Sequence, residues 1–441
     1  MECSSPRDHL TIFQRTRTVF LNASRLEPNP IQSLNSYPLV SFFCGHFVLV
    51  NMQSMNWKSN INHAKSIPMI NWAALIKYAI KTRDPQSMES SNTRTCYIHP
   101  SYNMGGLHLV RVLVFEDGMK WVARIQLHER TSESKKRLLH EVHTLSLLRE
   151  RTEIPVPEVF GYDLSGDIIG RCFMLMNFIP GSTAMDAFGG WKVHNGEIPL
   201  KFKPAFSHSI AKIHAAMSNI RFSKIGMIIQ NDDGSYDVDA IPGLGGPFET
   251  AAEYFTGWCK TVKFPMRETD IRARLPHHLQ DEMLESIEKF PDQVRESLQK
   301  FVVKNEGPFP LYHRDFRHSN VIIDNNYNIL SIIDWDNAGT VPWEIVEFPL
   351  FLDVTPPPMD MPGNYDAKGN PVDEETRNLR NERNDYVQGV MNHEKETGSD
   401  GSLSSILSSR YNQNIATALR LYEESGKIGH YCKVLDEMGH T

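Results

Sequence analysis

His313, Asp315, Asn320 and Asp334 carry the side chains in this chain best suited to chemistry. They lie in the run Leu-Tyr-His-Arg-Asp-Phe-Arg-His-Ser-Asn-Val-Ile-Ile-Asp at 311–324 and in Asp-Trp-Asp at 334–336. Val321 to Ile323 and Ile329 to Ile333 are aliphatic, β-branched runs, and Asp324-Asn325-Asn326 between them is turn-forming. The pattern predicts a hairpin, which returns the chain to its start and brings Asp334 back beside Asn320. An amide oxygen and a carboxylate converging there make a hard, oxygen-rich magnesium site with room for phosphate oxygens and waters. Asp315, on the Asn320 loop, can accept or orient a hydroxyl proton while the metal holds the phosphates. The chemistry this suits is phosphoryl transfer from a metal-bound nucleotide to a hydroxyl.

The H-R-D-x-x-x-x-N spacing is that of the kinase catalytic loop, in which a histidine at the position of His313 more often braces the loop than reacts. The stretch resembles the aminoglycoside phosphotransferase family, the kinase-like enzymes that include choline and homoserine kinases. It is especially similar to a large group of fungal members of undefined substrate. Asp334-Trp335-Asp336 stands where protein kinases carry Asp-Phe-Gly, and neither an Ala-Pro-Glu segment nor an activation-loop-like insert follows. Those differences favour the small-molecule branch. The resemblance runs from about residue 95 to the C-terminus and implies a bilobal α+β fold of the protein-kinase type. A small antiparallel-sheet lobe with one main helix (68–180) would bind ATP, and a larger, mostly helical lobe (181–441) would carry the catalytic loop, metal site and substrate groove.

The elements that must position the nucleotide come in the expected order. Leu109 to Phe115 and Trp121 to Leu127 read as paired strands around Glu116-Asp117-Gly118. Before them, Tyr102-Asn103-Met104-Gly105-Gly106 could fold its amides over phosphates, with Gly105 and Gly106 as candidate contacts, or form a plain turn. Arg124 falls where the resemblance puts a phosphate-pairing lysine; an arginine forks onto phosphate but differs from lysine in reach and geometry. A helix is predicted over Ser132 to Arg149, capped by Thr131 or Ser132, with Leu138, Val142, Leu145 and Leu148 as its apolar stripe. Glu141 sits on the edge of that stripe, and an inward carboxylate requires a cation, for which Arg124 is the candidate. Phe173 to Met176 runs into a Pro/Gly bend. The resemblance makes this the hinge, with Met176, Asn177, Phe178 and Ile179 as adenine contacts.

Downstream, Ile210, Ile213 and Met217 are spaced as a helical core face, with His214 as a packing residue. Tyr254, Phe255 and Trp258 lie on a predicted helix over 250–259 and read as core rather than as a substrate box, and Asp281, Glu282, Glu285 and Glu288 read as solvated surface. Val341 to Phe348 is expected to open a further helix. The resemblance places substrate-holding acids there, making Asp336, Glu344 and Glu347 the candidates. Residues 355–373 read as loop, and Glu374 to Glu396 and Leu403 to Gly426 as helices.

Composition is that of an ordinary globular protein with room for two lobes. A net charge of −7 argues against generic nucleic-acid binding and suits a cationic small-molecule hydroxyl acceptor. The six cysteines have neither metal nor redox spacing and fit free thiols in a reducing compartment. The apolar run Tyr37 to Val50 is shorter than the ~20 residues a spanning helix needs, so no integral membrane association is expected. Residues 1–67 read as a poorly structured extension, with Met52 or Met55 as alternative natural starts. Arg7, Arg15, Arg17 and Arg25 give a faint mitochondrial flavour that Glu2, Asp8 and Glu27 dilute, so a cytoplasmic location is expected. A monomer or weak dimer is expected. Two rival readings stay open: a kinase-like binding protein without turnover, and a protein kinase.

Overall fold

A computed structural model describes residues 69–85, 95–127 and 131–436. The extension expected over residues 1–67, with its alternative starts, lies outside the described residues.

The smaller lobe is built on five antiparallel strands. They are β1 (Cys96–Met104), β2 (His108–Phe115), β3 (Lys120–Gln126), β4 (Val159–Asp163) and β5 (Phe173–Asn177), in the order β1-β2-β3-β5-β4. Alternation decides the faces: Trp121, Ala123 and Ile125 of β3 join Leu109, Leu113, Phe173 and Leu175 in one apolar layer. Helix α1 (Trp72–Arg83) supplies Leu75 and Ala79 to the same layer. Helix α2 (Ser132–Arg151) starts at Thr131, whose side chain caps the Ser134 amide while Ser134 returns the bond to the Thr131 N–H. Its stripe of Leu138, Val142, Leu145 and Leu148 is buried, but in the core of the larger lobe rather than in the sheet layer.

A two-residue strand, β6 (Ser182–Thr183), follows the Pro180-Gly181 bend and pairs with the hairpin at 321–332. The larger lobe then continues through α3 (Lys203–Ser218), β7 (Arg221–Phe222) and the hairpin β8 (Met227–Gln230) and β9 (Tyr236–Asp239). Next come α4 (Ala251–Thr261), α5 (His277–Glu296) and β10 (Phe309–Tyr312). The predicted hairpin forms as β11 (Val321–Ile323) and β12 (Ile329–Ile332), with Val321 opposite Ile332. Its turn is held by Asp324, whose Oδ1 accepts from the Asn326 and Asn328 amides, both at 2.8 Å. Strand β13 (Gly339–Thr340) pairs with β10 and β8. The bilobal kinase-like architecture is the one the sequence implied.

Two helical expectations are corrected. Val341 to Phe348 forms only a single 3₁₀ turn, Trp343–Ile345, because Pro342 and Pro349 bracket it and deny it backbone donors. The last predicted helix divides into α7 (Ser402–Ser408) and α8 (Arg410–Arg420), broken at extended Ser409, which caps α8 through Asn412 N. Helix α6 (Glu374–Thr397) precedes them, α8 ends in one π turn (Leu421–Ser425), and α9 (Tyr431–Asp436) follows. His214 packs as expected, buried with Nδ1 3.1 Å from the Tyr386 hydroxyl.

Candidate active site

The loop between β10 and β11 is fixed by its own backbone. Asp315 N donates to His313 O at 2.8 Å, Arg317 N to Asp315 O at 2.9 Å and Asn320 N to Arg317 O at 2.9 Å. Ile333 N donates to Asn320 O at 2.9 Å, which brings the Asp334 loop against it as the hairpin predicts. Arg314 and Asp334 both take left-handed backbone, with φ of 63° and 66°. Aspartate tolerates that region; a long side chain there is uncommon and costs about 1–3 kcal/mol, which the surrounding bonds must hold.

His313 is sealed beneath this loop between Phe316 and Trp335, its Nε2 3.0 Å from the Ile333 carbonyl. Burial pushes its pKa down. A neutral ring donating from Nε2 ties the two loops together, so His313 positions them without facing solvent. The Asn320 amide Nδ2 donates to Asp315 O at 3.0 Å and Asp315 Oδ2 at 2.9 Å. That choice turns the Asn320 carbonyl oxygen, the hard donor a magnesium ion would use, away from the pair. Asp315 keeps its carboxylate partly exposed, and its Oδ1 accepts from Arg317 Nε. Arg317 lies two residues on in the same loop and is a site residue that sequence reasoning passed over.

Arg124 and Glu141 meet as predicted, deep between β3 and α2, and Arg124 also reaches across to Asp334. One guanidinium thus joins the strand, the helix and the Asp334 carboxylate. Burial opposes its charge, but Glu141, Asp334 and Asp336 outweigh burial and hold its pKa above the ordinary arginine value.

Several predicted contacts change position or role. Gly105 N is spent on His108 O at 2.9 Å inside the β1–β2 turn, and Tyr102 to Met104 belong to β1, so the phosphate loop reduces to a tight turn. In the hinge, Asn177 N bonds Glu158 O at 3.0 Å and Phe178 N bonds Lys120 O at 3.3 Å. Of the segment 176–179, the Ile179 N–H stays outside these pairs. Asp336 lies with Leu107, His108, Gln126, Ser134 and Arg137 in a cleft of about 220 Å³ under the β1–β2 turn, on the small-lobe side of the loop rather than in a groove of the larger lobe. Glu344 is 1% exposed and its Oε1 accepts from Val303 N and Lys304 N at 2.7 and 2.8 Å, a structural role. Glu347 is buried too, bound to Arg420 and to Thr417 Oγ1.

Glu347 does border a second hollow, of about 60 Å³, which opens beside the catalytic loop. Tyr254, Trp258, Tyr312, Arg314, Glu423 and Glu424 are among its walls. The aromatics expected to be core are therefore both core and wall. Glu423 Oε2 accepts from Trp258 Nε1 at 3.1 Å. Glu424 reaches solvent, yet crowding by the cavity wall, and then by Glu347 and Asp315, pushes its carboxyl up to about 7. Nothing local in the sequence ties Glu423 or Glu424 to a loop a hundred residues earlier; only the π turn at the end of α8 brings them there.

The chain matches the family described as the phosphotransferase enzyme family over residues 105–343, more than half its length, and belongs to it. Among curated proteins none matches. Solved structures it resembles include a thermostable mutant of aminoglycoside phosphotransferase APH(4)-Ia in ternary complex with ADP and hygromycin B. That match has 14% identity and a TM-score of 0.42, covering 83% of this chain and 99% of that one. The ADP-bound aminoglycoside phosphotransferase APH(2'')-Ib matches at 13% identity and a TM-score of 0.41, covering 82% and 96%. Macrolide 2'-phosphotransferase MphH from Brachybacterium faecium matches at 12% identity and a TM-score of 0.36, covering 75% and 89%. No helix among the described residues is long and apolar enough to cross a membrane.

Proposed function

We propose that this phosphotransferase moves the γ-phosphoryl group of ATP, with magnesium, onto a hydroxyl of a small molecule. The observation that carries the reading is the placement of Asp315, Asn320 and Asp334 on two hydrogen-bonded loops, with Arg124 joining Asp334 to Glu141. We assign residues 68–180 to the nucleotide lobe and 181–441 to the acceptor lobe.

Asp315 is the base. It takes the acceptor proton as the acceptor oxygen bonds to the γ-phosphorus and the bond from that phosphorus to the β-bridging oxygen breaks, leaving ADP. The Asn320 carbonyl oxygen and the outer Asp334 oxygen are the magnesium donors; when bound, the ion neutralises phosphate charge. Among the described residues no cluster of three or more His, Cys, Asp or Glu is gathered for a metal. Arg317, beside Asp315, is placed to meet charge on the transferring group, and Ile179 N–H is the hinge donor for adenine.

Asp315→Asn should lower turnover by ~10²–10⁴ while leaving ATP binding intact. An ATP-consumption screen over amino alcohols, sugars, hydroxy acids and peptides, followed by this variant on the first active acceptor, makes the test. Undiminished turnover would reject Asp315 as the base. A binding protein without turnover is the second reading, favoured because Arg124 and Arg317 already engage Asp334 and Asp315. It predicts nucleotide-dependent thermal stabilisation with no consumption on any acceptor.

A further inference from the structure

Arg137 lines the cleft of about 220 Å³ under the β1–β2 turn, together with Gln126, Glu133, Ser134 and Asp336. It stands on α2 four residues before Glu141, so one helical turn separates the two and they share a face. Glu141 turns that face to Arg124 and, through it, to Asp334. Arg137 carries the same face one turn further toward the helix N-terminus, where Asp336 joins the cleft wall. Two successive turns of α2 thus look onto the 334–336 loop. The Arg137 side chain is 33% exposed, and its Nη2 is bonded to Glu133 Oε1 at 3.0 Å. An exposed pair between neighbouring turns of one helix holds weakly, so the guanidinium is readily released.

The other donors around the cleft are committed. The Gly105 amide is spent on His108 O inside the turn, and Gln126 Nε2 on Ser134 O at 2.9 Å. Arg124 is divided between Glu141 and Asp334. A terminal phosphate entering beneath the turn therefore finds its cation in Arg137, whose planar fork matches two phosphate oxygens in parallel bonds. At roughly 10–15 Å³ for each water, about 220 Å³ leaves room for a phosphoryl group and part of its water shell. Asp336 and Glu133 in the same wall would repel a bare phosphate. A magnesium-bound one arrives with its charge offset, so the mixed wall suits the metal complex of the nucleotide.

We propose that Arg137 grips the terminal phosphate of magnesium-bound ATP: its guanidinium leaves Glu133 and donates to oxygens of the phosphoryl group beneath the β1–β2 turn. It supplies from α2 the contact that the turn itself does not offer. This rests on the reading of residues 68–180 as the nucleotide lobe.

The test is calorimetric binding to the full chain, with magnesium, of ADP and of a non-hydrolysable ATP analogue. Arg137→Gln should weaken the analogue about tenfold and ADP by no more than about twofold, because ADP lacks the phosphate in question. Arg137→Lys should recover part of the loss, since an ammonium keeps the charge without the fork. Glu133→Gln, which frees Arg137, should tighten the analogue and leave ADP as it was. Both positions are solvent-exposed on α2, and thermal melts of each variant check that the fold is kept. Arg137→Gln weakening both nucleotides alike overturns the proposal and makes Arg137 a support for α2. Affinity for the analogue unmoved by Arg137→Gln overturns it too, and leaves an idle surface arginine. A parent chain that binds neither nucleotide sinks the nucleotide lobe and the phosphate contact together, whereas the comparison of ADP with the analogue sinks the contact alone.

Discussion

Arg124 shows how a single side chain can substitute for a more familiar one only by changing the contacts around it. Its two terminal nitrogens serve Glu141 and Asp334 at once. A lysine ammonium is a compact point charge without that fork. Arg124→Met leaves Glu141, 4% exposed, without its cation, and should cost about 3–5 kcal/mol. Arg124→Lys should cost less, because one carboxylate keeps a partner. Chemical denaturation of the two variants beside the parent checks this, and equal midpoints for all three would contradict it. Glu424 gives a pH signature of opposite character. Its carboxyl, ordinarily near 4.5, is raised to about 7 in the fold, first by burial and then by Glu347 and Asp315. Between those values the folded chain holds a proton that the unfolded chain has released. Stability contributed by Glu424 is thus present at low pH and lost as pH rises through the window. Thermal melts from pH 4.5 to 7.5 should show Glu424→Gln losing less stability across that range than the parent; parallel curves would exclude the assignment.

At the scale of elements, the β8–β9 hairpin is strapped along α2. Lys136 pairs with Asp239 at 3.3 Å, His140 Nε2 lies 3.5 Å from the same carboxylate, and His143 Nδ1 accepts from Gln230 N at 3.0 Å. Further along, the Arg151 guanidinium lies over the Tyr236 ring at 5.1 Å. Since α2 carries Glu141, this strap holds the carboxylate against Arg124. Asp239→Ala should speed amide exchange in the first turns of α2 and weaken nucleotide binding severalfold without touching the site itself. Unchanged exchange there would show that the strap is idle. What could be read in the chain beforehand follows the same division. Strands, the capped helix and the catalytic hairpin were legible because alternation, a Thr131 cap and an Asp-Asn-Asn turn are local. Glu141 facing Arg124 was legible because a carboxylate beside an apolar stripe demands a cation. The 341–348 segment misled because its apolar and acidic pattern outweighed the prolines at both ends. Arg314, Glu423 and Glu424 escaped because their meaning depends on α4, α8 and the catalytic loop packing around one hollow. Arg317 sits two residues from Asp315 on the same loop, but an arginine there carries no local signal that it turns back onto that carboxylate.

At the scale of the molecule, the α2 stripe shares a core with Ile228, Val238, Val321 and Ile332, while the sheet packs with α1 in a separate layer. The small lobe is thereby anchored to the large one through its helix, and Arg124–Asp334 adds a charged tie across the same junction. A nucleotide entering between sheet and catalytic loop meets that tie directly. On the proposed function, magnesium would compete with Arg124 for Asp334, and the phosphates would compete with Asp334 for Arg124. Either exchange alone strands a charge, so the two should occur together. ATP with magnesium should therefore raise the melting temperature well above what ATP or magnesium achieves singly. Saturation at a hundred times the dissociation constant is worth ~2.7 kcal/mol to the folded state. Asp334→Asn removes one half of the exchange. It should still be stabilised by ATP but should lose the increment that magnesium adds. A thermal-shift matrix of nucleotide against magnesium, parent beside variant, measures that increment. If magnesium adds nothing in the parent, or adds as much in Asp334→Asn, the metal does not bind through Asp334 and the exchange across the lobe junction does not take place.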